Sequence, residues 1–150
     1  MRHYTSTVFL MMRFRDTPQH TALITSIRET LAKYGLNLVR ADWQHFKDEL
    51  WANVCHCMET STYGIAIFEQ IDGLATSPNV SLELGYMLTK GRHCLLLKEQ
   101  KVQMLQADLA GHLCRPFDVD RIEESVEPEV HAWFKDLGIT KRTDERLLIP

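Results

Sequence analysis

Residues 77–97 read SPNVSLELGYMLTKGRHCLLL, and the stretch passes from one periodicity to another. Ser77 before Pro78 is the usual chemistry of a helix start, and Gly91 after Lys90 that of a helix end. Between them Val80, Leu84, Met87 and Leu88 recur at i, i+4, i+7 and i+8, the apolar stripe of a helix that faces a core. HCLLL at 93–97 then reads as a short buried strand. One residue breaks the pattern. Glu83 stands three residues from Val80 and four from Met87, on the stripe's own face, where a solvated carboxylate does not belong.

The same alternation extends in both directions. Residues 4–12 form a strand candidate rich in apolar and β-branched residues, followed by the polar turn RFRDTPQ. Thr17 and Pro18 suit the N-cap and first position of a helix whose face is traced by His20, Leu23, Ile24, Ile27, Leu31 and Tyr34, up to Gly35. LNLVRAD at 36–42 is a second strand, and Phe46, Leu50, Val54, Cys57 and Met58 mark a second helix. TYGIAIF at 62–68 is a third strand and 93–97 a fourth. HLCRPFD at 112–118 is a fifth, placed at an edge because Pro116 cannot donate to a ladder. A last helix is predicted to begin near Pro128, with Val130, Trp133, Phe134 and Leu137 on one side and Gly138 at its end.

Strands alternating with helices predict an α/β fold: a flavodoxin-like, Rossmann-like three-layer sandwich around a five-stranded, mainly parallel sheet of order 2-1-3-4-5. With 150 residues and no repeat, low-complexity segment or linker, residues 1–150 read as one domain, able to bury roughly 68–70% of its unfolded surface. In this fold ligands bind beyond the carboxyl ends of the strands, where strand order reverses between the first and third. The loops meeting there are 13–18 and 69–79, and Glu83 lies one turn into the helix after the second.

Composition excludes several classes. A formal net charge of −3 with acidic and basic residues interspersed gives no nucleic-acid footprint. No apolar run approaches the ~20 residues of a membrane helix. The apolar part of MRHYTSTVFLMM reads as a strand rather than a signal peptide, so a cytoplasmic location is expected. Cys55, Cys57, Cys94 and Cys114 match neither a disulfide framework nor a paired CxxC zinc pattern, and are expected to be buried free thiols. Cys55 and Cys57 stand about 200° apart on a helix, poorly placed for one ion. With no Walker loop or GxGxxG fingerprint either, no metal and no cofactor is expected.

The segments VFLMMRF, LNLVRAD, SPNVSLELGYMLTKGRHCLLL and ADLAGHLCRPFD resemble, in order and spacing, the TIR-like nucleotide-binding proteins related to the nucleoside 2-deoxyribosyltransferases. The resemblance covers about residues 7–120, and its most specific part is the PN-x-x-x-ELG core. It implies that Glu83 attacks or stabilises the anomeric carbon of a nucleoside, nucleotide or NAD-like substrate during cleavage or transfer of an N-glycosidic bond. It also implies assembly into a homo-oligomer.

The residue type suits that chemistry, because N-glycosidic cleavage passes through an oxocarbenium-like state that a carboxylate stabilises or captures. The alternative for Glu83 is a side chain that snorkels to solvent or pairs with Arg or Lys. Around it, Arg13, Phe14 and Arg15 belong to the loop before a helix N-terminus, a setting that favours phosphate. Relatives there commonly carry Met-Pro-Phe where this chain has Met12-Arg13-Phe14, and both arginines are equally readable as solvated. Arg40 and Asp42 end the second strand on the same side, with Asp42 either a ribose or base ligand or an ordinary helix cap. Asn79 suits a ribose or a cap, and Gly85 the close approach of a ligand or of the sheet. Asp72 is the candidate second catalytic group, with Glu69 behind it. The rival to an enzyme is a non-catalytic nucleotide-sensing or protein-interaction module of the same fold.

Overall fold

A computed structural model describes residues 6–13, 15–41, 50–102 and 114–142 of the chain. Five strands form one sheet: β1 (Thr7–Met11), β2 (Asn37–Val39), β3 (Tyr63–Phe68), β4 (His93–Glu99) and β5 (Cys114–Phe117). They lie in the order β2-β1-β3-β4-β5, and every neighbouring pair is parallel. The helices are α1 (Pro18–Ala32), α2 (Leu50–Thr60), α3 (Pro78–Thr89) and α4 (Ile122–Asp136). This is the three-layer α/β fold expected, with β5 and its Pro116 at an edge.

Alternation along the strands builds the layers. Val8, Leu10, Ile65, Ile67, Leu95, Leu97 and Phe117 face α1 and α4, while Phe9, Met11, Ala66, Phe68 and Leu96 face α2 and α3. Strands buried on both faces need nearly continuous apolar sequence, which VFLMM, GIAIF and CLLL supply. Gly35 and Gly91 adopt the left-handed conformation (φ 71° and 72°) as the chain leaves α1 and α3. Among the described residues no helix is long and apolar enough to cross a membrane.

The structure corrects the sequence reading in three places. α4 begins at Ile122, after a 3-10 turn at Val119–Arg121 whose cap, Asp118, accepts a hydrogen bond from the Asp120 amide. Pro128 therefore lies inside the helix. An interior proline costs about 3 kcal/mol, whereas burying Ile122 and Val126 beneath the added turns contributes roughly 1.5–3 kcal/mol each, so packing prevails. Ser77 occupies the N-cap of α3 without a side-chain capping bond, whereas Thr17 caps α1 by accepting from the His20 amide at 3.1 Å. All four cysteines are free, but only Cys57 is fully buried. Phe46, assigned to the second helix, lies outside the described residues.

Pro128 is exposed and withholds one hydrogen bond from α4. Pro128→Ala should raise the unfolding free energy by about 1–2 kcal/mol, the restored bond being partly offset by a freer unfolded chain. Urea denaturation of the two proteins checks this. An unchanged or lower midpoint contradicts it.

Candidate functional site

The connection after β1 carries the chain to one side and that after β3 to the other, so the two loops part above the sheet. Three charged residues line this parting. Arg13 Nη1 lies 3.4 Å from Asp72 Oδ1, and Arg15 Nε lies 3.0 Å from Asp72 Oδ2. Arg13 also donates through Nη2 to the Ala75 carbonyl. Two guanidinium groups of the β1 loop thus converge on one carboxylate of the β3 loop. Burial works to raise the Asp72 carboxyl, but the Leu74 and Asp72 amides, with Arg15 and Arg13, hold it below its ordinary range. Asp72 is therefore ionised at neutral pH, with no proton to donate to a leaving group.

Beneath these loops runs a buried polar chain. Thr17 Oγ1 and His20 Nδ1 are 2.6 Å apart, and His20 Nε2 lies 3.1 Å from Glu69 Oε1. Glu69 Oε2 accepts from the Ile71 amide at 2.8 Å, and Glu99 Oε2 from the Gln70 amide at 3.0 Å. His20, Glu69 and Glu99 are 0%, 3% and 2% exposed. Both ring nitrogens of His20 therefore have a hydrogen-bond partner, the Thr17 hydroxyl on one side and the Glu69 carboxyl on the other. The start of the β3 loop is thereby tied to the ends of β3 and β4 and to the first turn of α1.

Glu83 occupies the second turn of α3, about 8 Å along the axis from the start of the helix at the crevice. Val80 and Met87 on the same face are buried, and Glu83 itself is half-buried. It makes no hydrogen bond or ion pair among the described residues. The cations at the far end of α3 are engaged elsewhere: Lys90 pairs with Glu59 at 3.1 Å, and Arg92 donates to the Glu59 carbonyl at 3.1 Å. Desolvation by burial pushes the Glu83 carboxyl up to about 7.

The remaining candidates divide. Arg40 is buried at the end of β2, on the same side of the sheet as Arg13. Asn79 is exposed in the first turn of α3 and makes no capping bond among the described residues. Gly85 is exposed, and a Cβ built there meets no described atom within 4 Å, so contact with the sheet does not account for this glycine. Phe14 and Asp42 lie outside the described residues. The sequence reading missed the joint role of His20, Glu69 and Glu99. The available signal was a carboxylate closing the apolar run of each of two parallel strands, IAIFE and LLLKE.

No protein-family model and no curated protein matches the sequence. Among solved structures, the chain is similar to a CMP N-glycosidase from Clostridium botulinum, with a TM-score of 0.64, 15% identity, and coverage of 85% of this chain and 99% of that one. It is also similar to a 2-deoxyribosyltransferase from Bacillus psychrosaccharolyticus, with a TM-score of 0.56, 14% identity, and coverage of 92% and 100%. At these identities the likeness shows a shared α/β fold.

Two outcomes follow from the site. Truncating either partner of the buried pair strands the other, so Glu69→Ala and His20→Ala should each lower stability by about 2–4 kcal/mol. The double variant should lose less than the sum in a denaturation cycle, and strict additivity would contradict the pairing. For Glu83 the native carboxyl binds its proton more tightly than the unfolded one, so its contribution is fully present below pH ~4.5 and is lost as pH rises through about 7. Between those values the wild type should lose about 2 kcal/mol relative to Glu83→Gln, allowing for partial solvent access. Parallel stability curves for the two proteins would contradict this.

Proposed function

We propose that this protein binds a nucleotide, nucleoside or NAD-like ligand at the crevice and cleaves or transfers its N-glycosidic bond through Glu83. The observation that carries the reading is a half-buried carboxylate with no hydrogen bond or ion pair among the described residues, in the second turn of the helix that follows the β3 loop. In the proposed reaction the bond between C1′ and the base nitrogen breaks and its electron pair leaves with the base. Glu83 stabilises the positive charge on C1′ or bonds to it, and water or a second base then takes the sugar. A desolvated carboxylate interacts with that charge more strongly than one in bulk water.

The other candidates serve binding. Arg13 and Arg15 face an anionic group at the capped N-terminus of α1. On the sequence reading, Phe14, Arg40, Asp42, Asn79 and Gly85 are assigned to binding the sugar and base. Asp72, initially the candidate for a second catalytic group, acts here through its ion pairs with the two arginines. The likeness of fold to a CMP N-glycosidase and a deoxyribosyltransferase supports the class of chemistry. A TIR-like relationship and assembly into oligomers belong to the same proposal and rest on the sequence resemblance.

A non-catalytic nucleotide sensor is the second reading, and one observation favours it. Asp72 is held ionised, which leaves the leaving base without an assigned proton donor among the described residues.

Incubation with NAD and a panel of nucleosides and nucleotides, with released bases resolved by chromatography, separates the readings. The enzyme reading expects base release that falls about 100-fold or more in Glu83→Gln while binding persists. The rate should climb with pH to a plateau above about 7, as the reacting carboxyl ionises. Full activity in Glu83→Gln would sink the assignment, and ligand binding without release at any protein concentration would favour the sensor.

A further inference from the structure

Arg13 and Arg15 present two positive charges to one carboxylate, each guanidinium taking a different oxygen. The side chains of Arg13, Arg15 and Asp72 are 17%, 45% and 22% exposed, so the cluster is partly shielded but open to a ligand. Gly73, directly after Asp72, has φ 77° and open space around its Cβ position among the described residues. The Asp72 carboxylate is held by polar contacts, the two arginines together with the Leu74 and Asp72 amides, and an entering anion competes with it for the arginines. The loop start is anchored just before it by Gln70 and Ile71 on Glu99 and Glu69.

We propose that Asp72 is an internal stand-in for the substrate's phosphate, a specificity-determining residue that occupies the Arg13–Arg15 anion site until a phosphate monoester displaces it. This deepens the reading above and rests on the crevice being where the nucleotide binds. A carboxylate offers one negative charge and two oxygens. A phosphate monoester offers about −1.5 to −2 charge at neutral pH and three oxygens, a closer match to two guanidinium groups. A neutral nucleoside has nothing to exchange for Asp72 and leaves the ion pairs closed. Competition by Asp72 thus sets how strong an anion must be to enter, and the ligand class selected is the nucleoside monophosphate over the nucleoside.

The test is isothermal titration of the full chain with inorganic phosphate, cytidine and CMP. It compares the wild type, Asp72→Asn and the double variant Arg13→Ala/Arg15→Ala. Removing the competitor should tighten phosphate and CMP by about threefold or more and leave cytidine unchanged, while the double variant should lose the phosphate response. Asp72→Ser, read in the same way, covers failure of the Asn variant to fold. Weaker or unchanged phosphate binding in the folded Asp72 variants would overturn the proposal, because it would make Asp72 a support of the anion site or irrelevant to it. These titrations need no turnover, so absence of base release from every substrate would count against catalysis by Glu83 and leave this result standing.

Discussion

All neighbouring strands of this protein run parallel, and that constraint governs the rest. A parallel pair cannot be closed by a hairpin, so each connection crosses over a face of the sheet and both faces become covered. The interiors of β1, β3 and β4 are then largely apolar, and polar chemistry gathers towards the strand ends. Because the order reverses between β1 and β3, the two loops there diverge and leave a crevice whose position follows from topology alone. Arg13, Arg15 and Asp72 line it, Arg40 ends the neighbouring strand, and Glu83 follows on the helix that leaves it.

The polar groups at these strand ends occupy two regimes. Below the loops, His20, Glu69 and Glu99 are closed off from solvent and satisfied by Thr17 and two backbone amides, a rigid arrangement that holds the loop start. Above, the Arg13–Asp72–Arg15 cluster is solvent-accessible, where ion pairs are individually weak and open to exchange. Glu83 belongs to neither regime. It is partly withdrawn from water without a partner among the described residues, and such groups cluster at functional sites because proteins seldom tolerate them elsewhere.

Much of this was readable from residues. Alternating periodicities pointed to the parallel α/β sheet, its strand order came with the flavodoxin-like fold they suggest, and the odd position of Glu83 followed from arithmetic on Val80 and Met87. The start of α4 was misread because proline at a first helical turn is a strong local signal, while the burial that overrides it depends on a sheet face the local sequence does not display. The pairing of His20 with Glu69 spans 49 positions and exists only once α1 packs across the end of β3. Asp72 was legible as a loop acid near the crevice. That two arginines claim this candidate second catalytic group, making it the anionic partner of a cationic pair, emerged only from the folded loops.

The account turns on Glu83 being a desolvated carboxylate that senses what enters the crevice. Carbon-13 NMR titration of the Glu83 side-chain carboxyl, assigned by comparison with Glu83→Gln and repeated with saturating CMP, measures this directly. The account predicts a midpoint near 7 in the free protein that moves when the nucleotide binds. A midpoint at the ordinary glutamate value of about 4.3, unmoved by bound nucleotide, would contradict it.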